Sequence, residues 1–312
     1  MKHFFIINPK SGKKDSTEYI SNYLKENHSD LNYELYTTKE VGDAIRFVKE
    51  QCNNKTEPIT FYACGGDGTL NEVVNGVFGY DDVYITVYPC GSGNDFIKVF
   101  GKENYFKDLS NLINGKPRKI DVLNMNGRYS INMCNLGFDG AVAYNMIKFK
   151  RWPLVSGKGA YNIALVYSLI FKMKHKCKIY IDDKEVFDGK MLLTAVGNGL
   201  CCGGGYYCLP KADVEDGLID IVYVKTISRF KFIGLVGKYK DGTYIGDPKY
   251  DNYMKYTKCK SVKLVSDKPI AYSIDGECDI SKEININIEP KAINFIVPVE
   301  YENCENLTKS VK

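Results

Sequence analysis

The amino-terminal part of the chain alternates continuous apolar runs with segments whose apolar residues recur at helical spacing. Strands buried on both faces of a parallel sheet are typically continuous apolar runs, whereas surface helices carry one apolar stripe. This alternation of strand and helix predicts an α/β domain with a mostly parallel sheet. The predicted strands are 3–8, 33–37, 59–64 and 84–88, and the predicted helices are 16–27, 40–52 and 70–78.

From about Asp121 the pattern changes to short strand-like runs. The dipeptide Asn126-Gly127 is typical of the tight turn of a β-hairpin. Ile284, Ile286 and Ile288 alternate with polar residues, as in a strand with one buried face. This part is therefore predicted to be antiparallel, an all-β sandwich-type domain with helical insertions. The predicted strands include 178–181, 191–196, 218–224, 262–265 and 270–274, and the insertions are 140–150 and 160–173.

Composition and charge exclude several classes of protein. The net charge of +4 and the isoelectric point near 8.3 lie below the range of nucleic-acid-binding modules, so no nucleic-acid partner is expected. The apolar segment 163–173 is far shorter than the roughly 20 residues that span a bilayer. The first apolar run is too short for a signal peptide, which predicts a cytoplasmic protein.

The sequence contains eleven cysteines and three histidines. An odd count without any C-x-x-C pair argues against a disulfide framework and against a zinc site. We therefore expect reduced thiols, most of them buried as small apolar side chains.

Three polar, glycine-rich loops each follow a predicted strand: 8–13, 65–72 and 91–96. Glycine lets backbone N–H groups approach an anion closely, and the helix predicted from Leu70 directs its positive end toward the same region. Asp67 would approach phosphate favourably only through a cation, so it suggests a contact with a metal ion or with the ribose. One such loop would be an ordinary tight turn, but three at the strand ends of one sheet favour a nucleotide site. The sequences typical of P-loop NTPases and protein kinases are missing.

Together these loops resemble the diacylglycerol kinase catalytic domain family, which includes bacterial and sphingosine-type lipid kinases. The matching motifs are Asn8-Pro-x-Ser-Gly, Gly65-Gly-Asp-Gly-Thr-x-Asn-Glu and Gly91-Ser-Gly-Asn-Asp-Phe. The resemblance continues through 135–139, the acidic segment 210–220 and Asp275-Gly276-Glu277, so it spans nearly the whole chain.

The resemblance implies a nucleotide-binding domain of NAD kinase-like fold, a β-sandwich domain for the lipid substrate and an active site in the cleft between them. The carboxyl terminus of relatives packs back on the first domain. The expected domains are therefore 1–123 together with 291–312, and 124–290, with a frayed tail beyond Glu300.

Residue roles follow from the same resemblance. Asp275 matches the general base and Glu277 would support it, although locally the segment also fits a hairpin turn. Asp213, Asp216 and the carbonyl of Leu218, near Asp220, would hold a structural Mg²⁺; a solvated acidic turn is the alternative. ATP and its Mg²⁺ would be held by Asn8, Gly66, Asp67, Gly68, Thr69, Glu72, Gly93 and Asn94.

The predicted function is an ATP- and Mg²⁺-dependent lipid kinase, with diacylglycerol as the favoured substrate and Gly203–Tyr207 near the acceptor. NAD kinase and a non-catalytic nucleotide-binding regulator are the alternatives. A membrane contact would use the basic residues near Trp152 (Lys148, Lys150, Arg151, Lys158) and those after the helix at 160–173 (Lys172, Lys174, His175, Lys176, Lys178). Such a charge run is more often simply a solvated face, so the sequence favours that interpretation over transient contact with the inner face of the membrane. The sequence leaves a homodimer open.

Overall fold

The computed structural model describes residues 1–12, 14–152, 155 and 157–301, without the side chains of Gly157 and Lys158. Lys13 of the first glycine loop, the Lys158 side chain and the predicted tail at 302–312 therefore lie outside the described residues. The chain divides into two compact units. Unit 1 comprises Met1–Val122 together with the described residues from Pro290 to Tyr301, and unit 2 comprises Leu123–Glu289.

Unit 1 alternates strands and helices, and its third helix begins at Asp67, three residues earlier than predicted. Two 3₁₀ helices, Phe96–Phe100 and Glu103–Lys107, follow the last strand of this alternation. The elements are β1 (Lys2–Ile7), α1 (Thr17–Asn27), β2 (Tyr33–Thr37), α2 (Asp43–Asn53), β3 (Ile59–Gly65), α3 (Asp67–Val77), β4 (Val83–Pro89) and α4 (Leu109–Ile113).

The strands of unit 1 pair in the order β2-β1-β3-β4, and every pair is parallel. A parallel pair also joins β4 to Asn294 and Phe295 of the carboxyl-terminal strand. The strand pairs within the described part of unit 2 are antiparallel, so parallel pairing belongs to unit 1 and not to the chain as a whole.

The core of unit 1 forms because β1 and β3 are apolar on both faces. Phe4 stacks on Phe61 and Phe5 on Tyr62, and all four side chains are fully buried. The carboxyl-terminal strand adds Phe295, which stacks on Phe100 with 5.3 Å between the ring centroids. Residues far apart in sequence therefore share one aromatic cluster.

Unit 2 contains most of the antiparallel strands. Its elements are β5 (Lys116–Met125), which begins in unit 1, β6 (Arg128–Ser130), β7 (Met133–Gly137), α5 (Phe138–Phe149), α6 (Gly157–Phe171), β8 (His175–Ile181), β9 (Lys184–Gly197), β10 (Ile219–Lys225), α7 (Arg229–Lys240), β11 (Met254–Cys259), β12 (Ser261–Ile274) and β13 (Glu277–Val297), which ends in unit 1.

The strand order in unit 2 is β11-β10-β9-β7-β12-β13, and β8 pairs with both β9 and β12. One cluster of buried side chains comes from the strands alone, and a second includes side chains of α5, α6 and α7. The predicted hairpin is present, because Asn126 and Gly127 connect β5 to β6 with positive φ angles.

The helix α7 was not predicted. Its buried side chains Phe232, Leu235 and Tyr239 follow helical spacing, but the exposed Phe230 and Ile233 obscure the apolar stripe. Gly234 and Gly237 lower helix propensity further. Packing against Phe138, at a ring-centroid distance of 4.8 Å from Phe232, stabilises the helix where its local sequence does not.

The ten cysteines in the described part of the chain are free thiols, and seven of them are buried. Among the described helices, none has the length and apolar character needed to cross a membrane.

We predict that Phe295→Ala lowers the free energy of unfolding of unit 1 by about 3–5 kcal/mol, because the substitution leaves a cavity among Phe96, Phe100 and Phe106. Urea unfolding followed by tyrosine fluorescence measures the effect. Phe230→Ala is the matched control, since Phe230 is 88% exposed. Equal unfolding midpoints for the two variants would contradict the assigned core.

Candidate functional site

The three glycine-rich loops of unit 1 meet at the carboxyl ends of β1, β3 and β4. Asn8 follows β1; its backbone N–H donates to the Cys64 carbonyl at 3.0 Å and its Nδ2 donates to Thr69 Oγ1 at 3.2 Å. The backbone N–H groups of Cys90 and Gly91 both donate to the Gly65 carbonyl. The loops predicted to bind nucleotide are therefore brought together at one edge of the parallel sheet.

Two glycines are required because these loops pass very close to each other. A Cβ atom at Gly91 would lie 2.6 Å from the Cα of Gly66, a distance that no side chain tolerates. Gly12 has a φ of +81°, and a Cβ there would overlap the Cys90 carbonyl oxygen. Gly68, in contrast, has nothing within 4 Å of its Cβ position, so space remains beside the start of α3.

The amino terminus of α3 lies within the second loop, with Gly66 as its N-cap. Backbone N–H groups in the first turn of a helix have no partner within the helix, and the helix dipole adds partial positive charge there. Gly68 and Thr69 belong to this first turn. The geometry is thus suited to a phosphate group.

Asp67 and Asp95 place two carboxylates at this edge. Asp67 Oδ1 accepts a hydrogen bond from the Asp95 backbone N–H at 2.7 Å. A Cβ atom at Gly93 would lie 2.9 Å from Asp67 Oδ2 and 3.5 Å from Asp95 Oδ2, so both carboxylates border the same space. Burial, and then the charge of Asp95, raise the pKa of Asp67 above its ordinary value.

A divalent cation would relieve this repulsion, and carboxylate oxygens are its preferred ligands. Lys98 forms an ion pair with Asp95 and neutralises part of the charge. Asp95 was not among the predicted site residues, although it lies within the third glycine motif. The sequence does not show that Asp95 lies close to Asp67, because only the folded structure brings the second and third loops together.

Asn94 fixes the third loop. Its φ is +46°, and its Nδ2 donates to the Gly91 carbonyl at 2.9 Å. Its Oδ1 is buried and accepts no hydrogen bond within the described residues. Asparagine tolerates this left-handed conformation better than most side chains, which accounts for the residue type.

Glu72 was predicted to bind nucleotide, and its carboxylate is engaged elsewhere in unit 1. Its Oε1 accepts from the Gly42 backbone N–H at 3.0 Å, and its Oε2 accepts from that of Ala44 at 3.1 Å. Glu72 therefore caps the amino terminus of α2. A direct nucleotide contact by Glu72 stays a prediction.

In unit 2, Asp275 lies in a two-residue turn between β12 and β13, with a φ of +46°. The hairpin turn considered from the local sequence is thus present, but the carboxylate is 8% exposed and held in place. Its Oδ1 accepts from Ser130 Oγ at 2.7 Å and from the Met133 backbone N–H at 3.1 Å. This is an oriented carboxylate rather than a solvated turn residue.

Glu277 begins β13, two residues after Asp275, and forms an ion pair with Arg128. The pair is partly exposed, so it contributes little to stability. It does fix the side chain of Glu277 at the strand that follows the turn.

The predicted metal ligands of unit 2 are occupied by internal contacts. Asp213 accepts from the Glu215 backbone N–H and Asp216 from that of Leu218, both at 3.0 Å. The Lys258 ammonium lies 2.5 Å from Asp216 Oδ2 and 3.3 Å from Asp220 Oδ2. No group of three or more acidic, histidine or cysteine side chains in the described residues is arranged as a metal site. Mg²⁺ bound to Asp216 would have to displace Lys258.

Asp139, in the motif at 135–139, is partly buried beside Tyr239, whose hydroxyl donates to Asp139 Oδ2 at 3.3 Å. Burial raises the pKa of Asp139 to about 6. In the glycine-rich segment predicted to lie near the acceptor, Gly203, Gly204 and Gly205 all have positive φ angles. No residue of this segment was assigned a role from the sequence.

Comparison with known proteins places both parts of the chain in one family. Residues 2–125 match the diacylglycerol kinase catalytic domain, and residues 132–297 match the YegS C-terminal NAD kinase beta sandwich-like domain. A diacylglycerol kinase of Bacillus subtilis (strain 168) is 30% identical over 277 residues, which cover 87% of this chain and 88% of that protein.

Solved structures share the fold. A diacylglycerol kinase structure from Bacillus anthracis str. Sterne superposes with a TM-score of 0.70 at 21% identity, covering 96% of this chain and 98% of the other. An NAD kinase from Archaeoglobus fulgidus in complex with ATP gives a TM-score of 0.50 at 13% identity, with both chains covered fully. At these identities the likeness concerns the fold alone.

We predict that Gly91→Ala lowers nucleotide affinity at least about tenfold, because the new methyl group would push the third loop away from Gly66. Equilibrium binding of a fluorescent ATP analogue to the purified protein measures the effect. Gly234→Ala is the matched control, since it lies in α7 with nothing within 4 Å of its Cβ position. Unchanged nucleotide affinity in Gly91→Ala would show that nucleotide binding does not depend on the close approach of Gly91 to Gly66.

We predict that Lys258→Met makes the thermal stability of the protein more dependent on Mg²⁺. The substitution leaves Asp216 and Asp220 without their internal cation, and a divalent ion would then stabilise the folded state. Thermal unfolding with MgCl₂ and with EDTA measures the shift, and Lys255→Met, an exposed position of the same strand β11, is the control. A Mg²⁺-dependent shift of equal size in the unsubstituted protein would show that Lys258 does not take the place of the metal.

Proposed function

Because the chain belongs to the diacylglycerol kinase family of lipid phosphotransferases, we propose that it transfers the γ-phosphate of ATP, as a Mg²⁺ complex, to the hydroxyl of a membrane lipid. The observation that carries the proposal is the convergence of three family motifs at one edge of the parallel sheet. A kinase needs such a rigid edge, since phosphoryl transfer depends on positioning and charge neutralisation.

In this proposal unit 1 is the nucleotide-binding domain. The amino terminus of α3 faces the phosphates, with backbone contacts from Gly66, Gly68 and Thr69 and with Asn8 buttressing Thr69. Gly93 and Asn94 border the same space from the third loop. Glu72 acts indirectly, because its carboxylate binds the amino terminus of α2. The residues proposed to hold the Mg²⁺ of ATP are Asp67 and Asp95, because their carboxylates lie beside the same open position.

Unit 2 is proposed as the lipid-substrate domain, with Asp275 as the general base. Two hydrogen bonds orient its carboxylate through Oδ1, so that the group can accept the proton of the attacking hydroxyl. Glu277 supports the turn through its ion pair with Arg128. A structural Mg²⁺ at Asp213, Asp216 and the Leu218 carbonyl is kept in the proposal on condition that Lys258 moves away.

Diacylglycerol is the proposed acceptor because the Bacillus subtilis relative, which is identical at 30% of the aligned residues, is named a diacylglycerol kinase. A lipid acceptor requires the protein to reach a membrane surface, and we propose transient association with the inner face of the cytoplasmic membrane. NAD kinase is the second candidate, favoured only by the shared fold.

We predict that Asp275→Asn lowers the rate of phosphate transfer about 10²–10⁴-fold, because asparagine keeps the left-handed turn but cannot accept the proton. Transfer from γ-labelled ATP to diacylglycerol in mixed micelles measures the rate. Asp279→Asn is the matched control, an isosteric change at an exposed position of β13, the strand that follows the turn. An Asp275→Asn variant of full activity would exclude the proposed base.

The same assay distinguishes the alternatives when sphingosine, a polyprenol and NAD are offered beside diacylglycerol. Label in a lipid, lost in Asp275→Asn, supports the proposal and identifies the acceptor. Label in NAD overturns it in favour of NAD kinase. ATP binding without transfer to any acceptor favours the regulatory alternative.

A further inference from the structure

Unit 2 contains a basic pocket that none of the proposed catalytic residues lines. Its volume is about 560 Å³, and it lies among side chains of α5, α6, β8, β9 and β12. Six lysines line it: Lys148, Lys172, Lys174, Lys176, Lys190 and Lys268. The first four belong to the basic segments noted in the sequence, whereas Lys190 and Lys268 are brought there by β9 and β12. Lys178 of the same basic segment instead pairs with Glu185 and Asp188.

The positive charge of the pocket is largely uncompensated. Asp267 is the one acidic side chain among the residues that line it, and it pairs with Lys176 at 3.2 Å. Within the described residues, none of the other five lysines forms an ion pair. Elsewhere in unit 2, Lys258 and Arg128 do have acidic partners. Lysines without ion pairs also occur outside the pocket in the described part of the chain, but the pocket gathers five of them around one cavity. Concentrated like charge is unfavourable unless an anion occupies the pocket.

The pocket also contains a neutral hydrogen-bond donor. Asn145 of α5 is only 8% exposed, lines the pocket and forms no side-chain hydrogen bond within the described residues. His175 also lines the pocket, with its Nε2 2.8 Å from the Lys172 carbonyl oxygen. Burial lowers the pKa of His175, which favours the neutral imidazole. A phosphate group would satisfy both the lysines and the Asn145 amide.

Exposed apolar side chains lie at the pocket and on the adjoining surface of α6. Phe171, Ile280 and Tyr144 line it and are 66%, 47% and 38% exposed. Val166 and Ile170 of α6 are 55% and 50% exposed. A soluble phosphate compound gains nothing from such a rim, whereas the acyl region of a membrane buries it. The combination of lysines and apolar side chains therefore favours a lipid over a free anion.

We propose that this pocket binds the phosphate-bearing headgroup of an anionic phospholipid and thereby docks unit 2 on the membrane. The bound lipid is a docking ligand and not the acceptor of the transferred phosphate. The pocket deepens the proposed membrane-surface function, but lipid binding without ATP can be measured independently of catalysis.

The test is sedimentation of the full chain with vesicles of phosphatidylglycerol and phosphatidylcholine, without nucleotide. The variant combines Lys148→Gln, Lys174→Gln and Lys268→Gln, three exposed positions of the pocket. We expect vesicle affinity at least about tenfold weaker than in the unsubstituted chain. The control combines Lys184→Gln, Lys260→Gln and Lys282→Gln, which remove the same charge from exposed positions of unit 2 outside the pocket.

A second variant gives the opposite sign. Asp267→Asn removes the acidic residue of the pocket and releases Lys176, so we expect vesicle affinity to rise a few-fold. Equal losses in the two triple variants would overturn the proposal in favour of general charge attraction. So would equal binding to vesicles of phosphatidylcholine alone. Release of the protein by soluble glycerol phosphate would assign the pocket to a free phosphate compound and also overturn the lipid site.

Discussion

The edge of the unit 1 sheet that is proposed to bind nucleotide depends on the close approach of the backbones of Gly66 and Gly91. The second and third glycine-rich loops touch at these two residues, and the Gly65 carbonyl accepts hydrogen bonds from Cys90 and Gly91. A side chain at Gly91 would separate the loops. This contact brings the second loop, with Asp67 and the first turn of α3, next to the third loop. The third loop carries Asn94, whose Nδ2 donates to the Gly91 carbonyl. The glycines thus determine the shape of the site through contacts within the protein, independently of any ligand.

The close approach of the loops also concentrates negative charge. Asp67 and Asp95 border one space, and burial together with their mutual repulsion raises the pKa of Asp67. Backbone donors and Lys98 compensate part of that charge. What remains is a position suited to a divalent cation next to a helix terminus suited to phosphate. This pairing of charges is the physical basis for assigning unit 1 to a metal–nucleotide complex.

The described part of unit 2 contains charged side chains that form ion pairs in some regions and lysines without acidic partners in another. Asp216, Asp220 and Glu277 each have a basic partner from the same unit. In the pocket beside α6, by contrast, five lysines share no acidic partner within the described residues. Internal ion pairs hold strands and turns in place, and uncompensated charge of one sign attracts a ligand of the other sign. The same residue type, lysine, therefore has a structural role in one region and a proposed binding role in the other.

The sequence by itself determined the alternation of strands and helices in unit 1 and the family of the chain, because both depend on local patterns and short motifs. It did not reveal α7, whose helix depends on packing rather than on propensity. Tertiary structure also brought the carboxylates of Asp67 and Asp95 to the same space. It placed Glu72 at the amino terminus of α2 and the Lys258 ammonium beside Asp216. Each of these joins residues that are distant along the chain, and their distances are fixed only by strand order and loop packing.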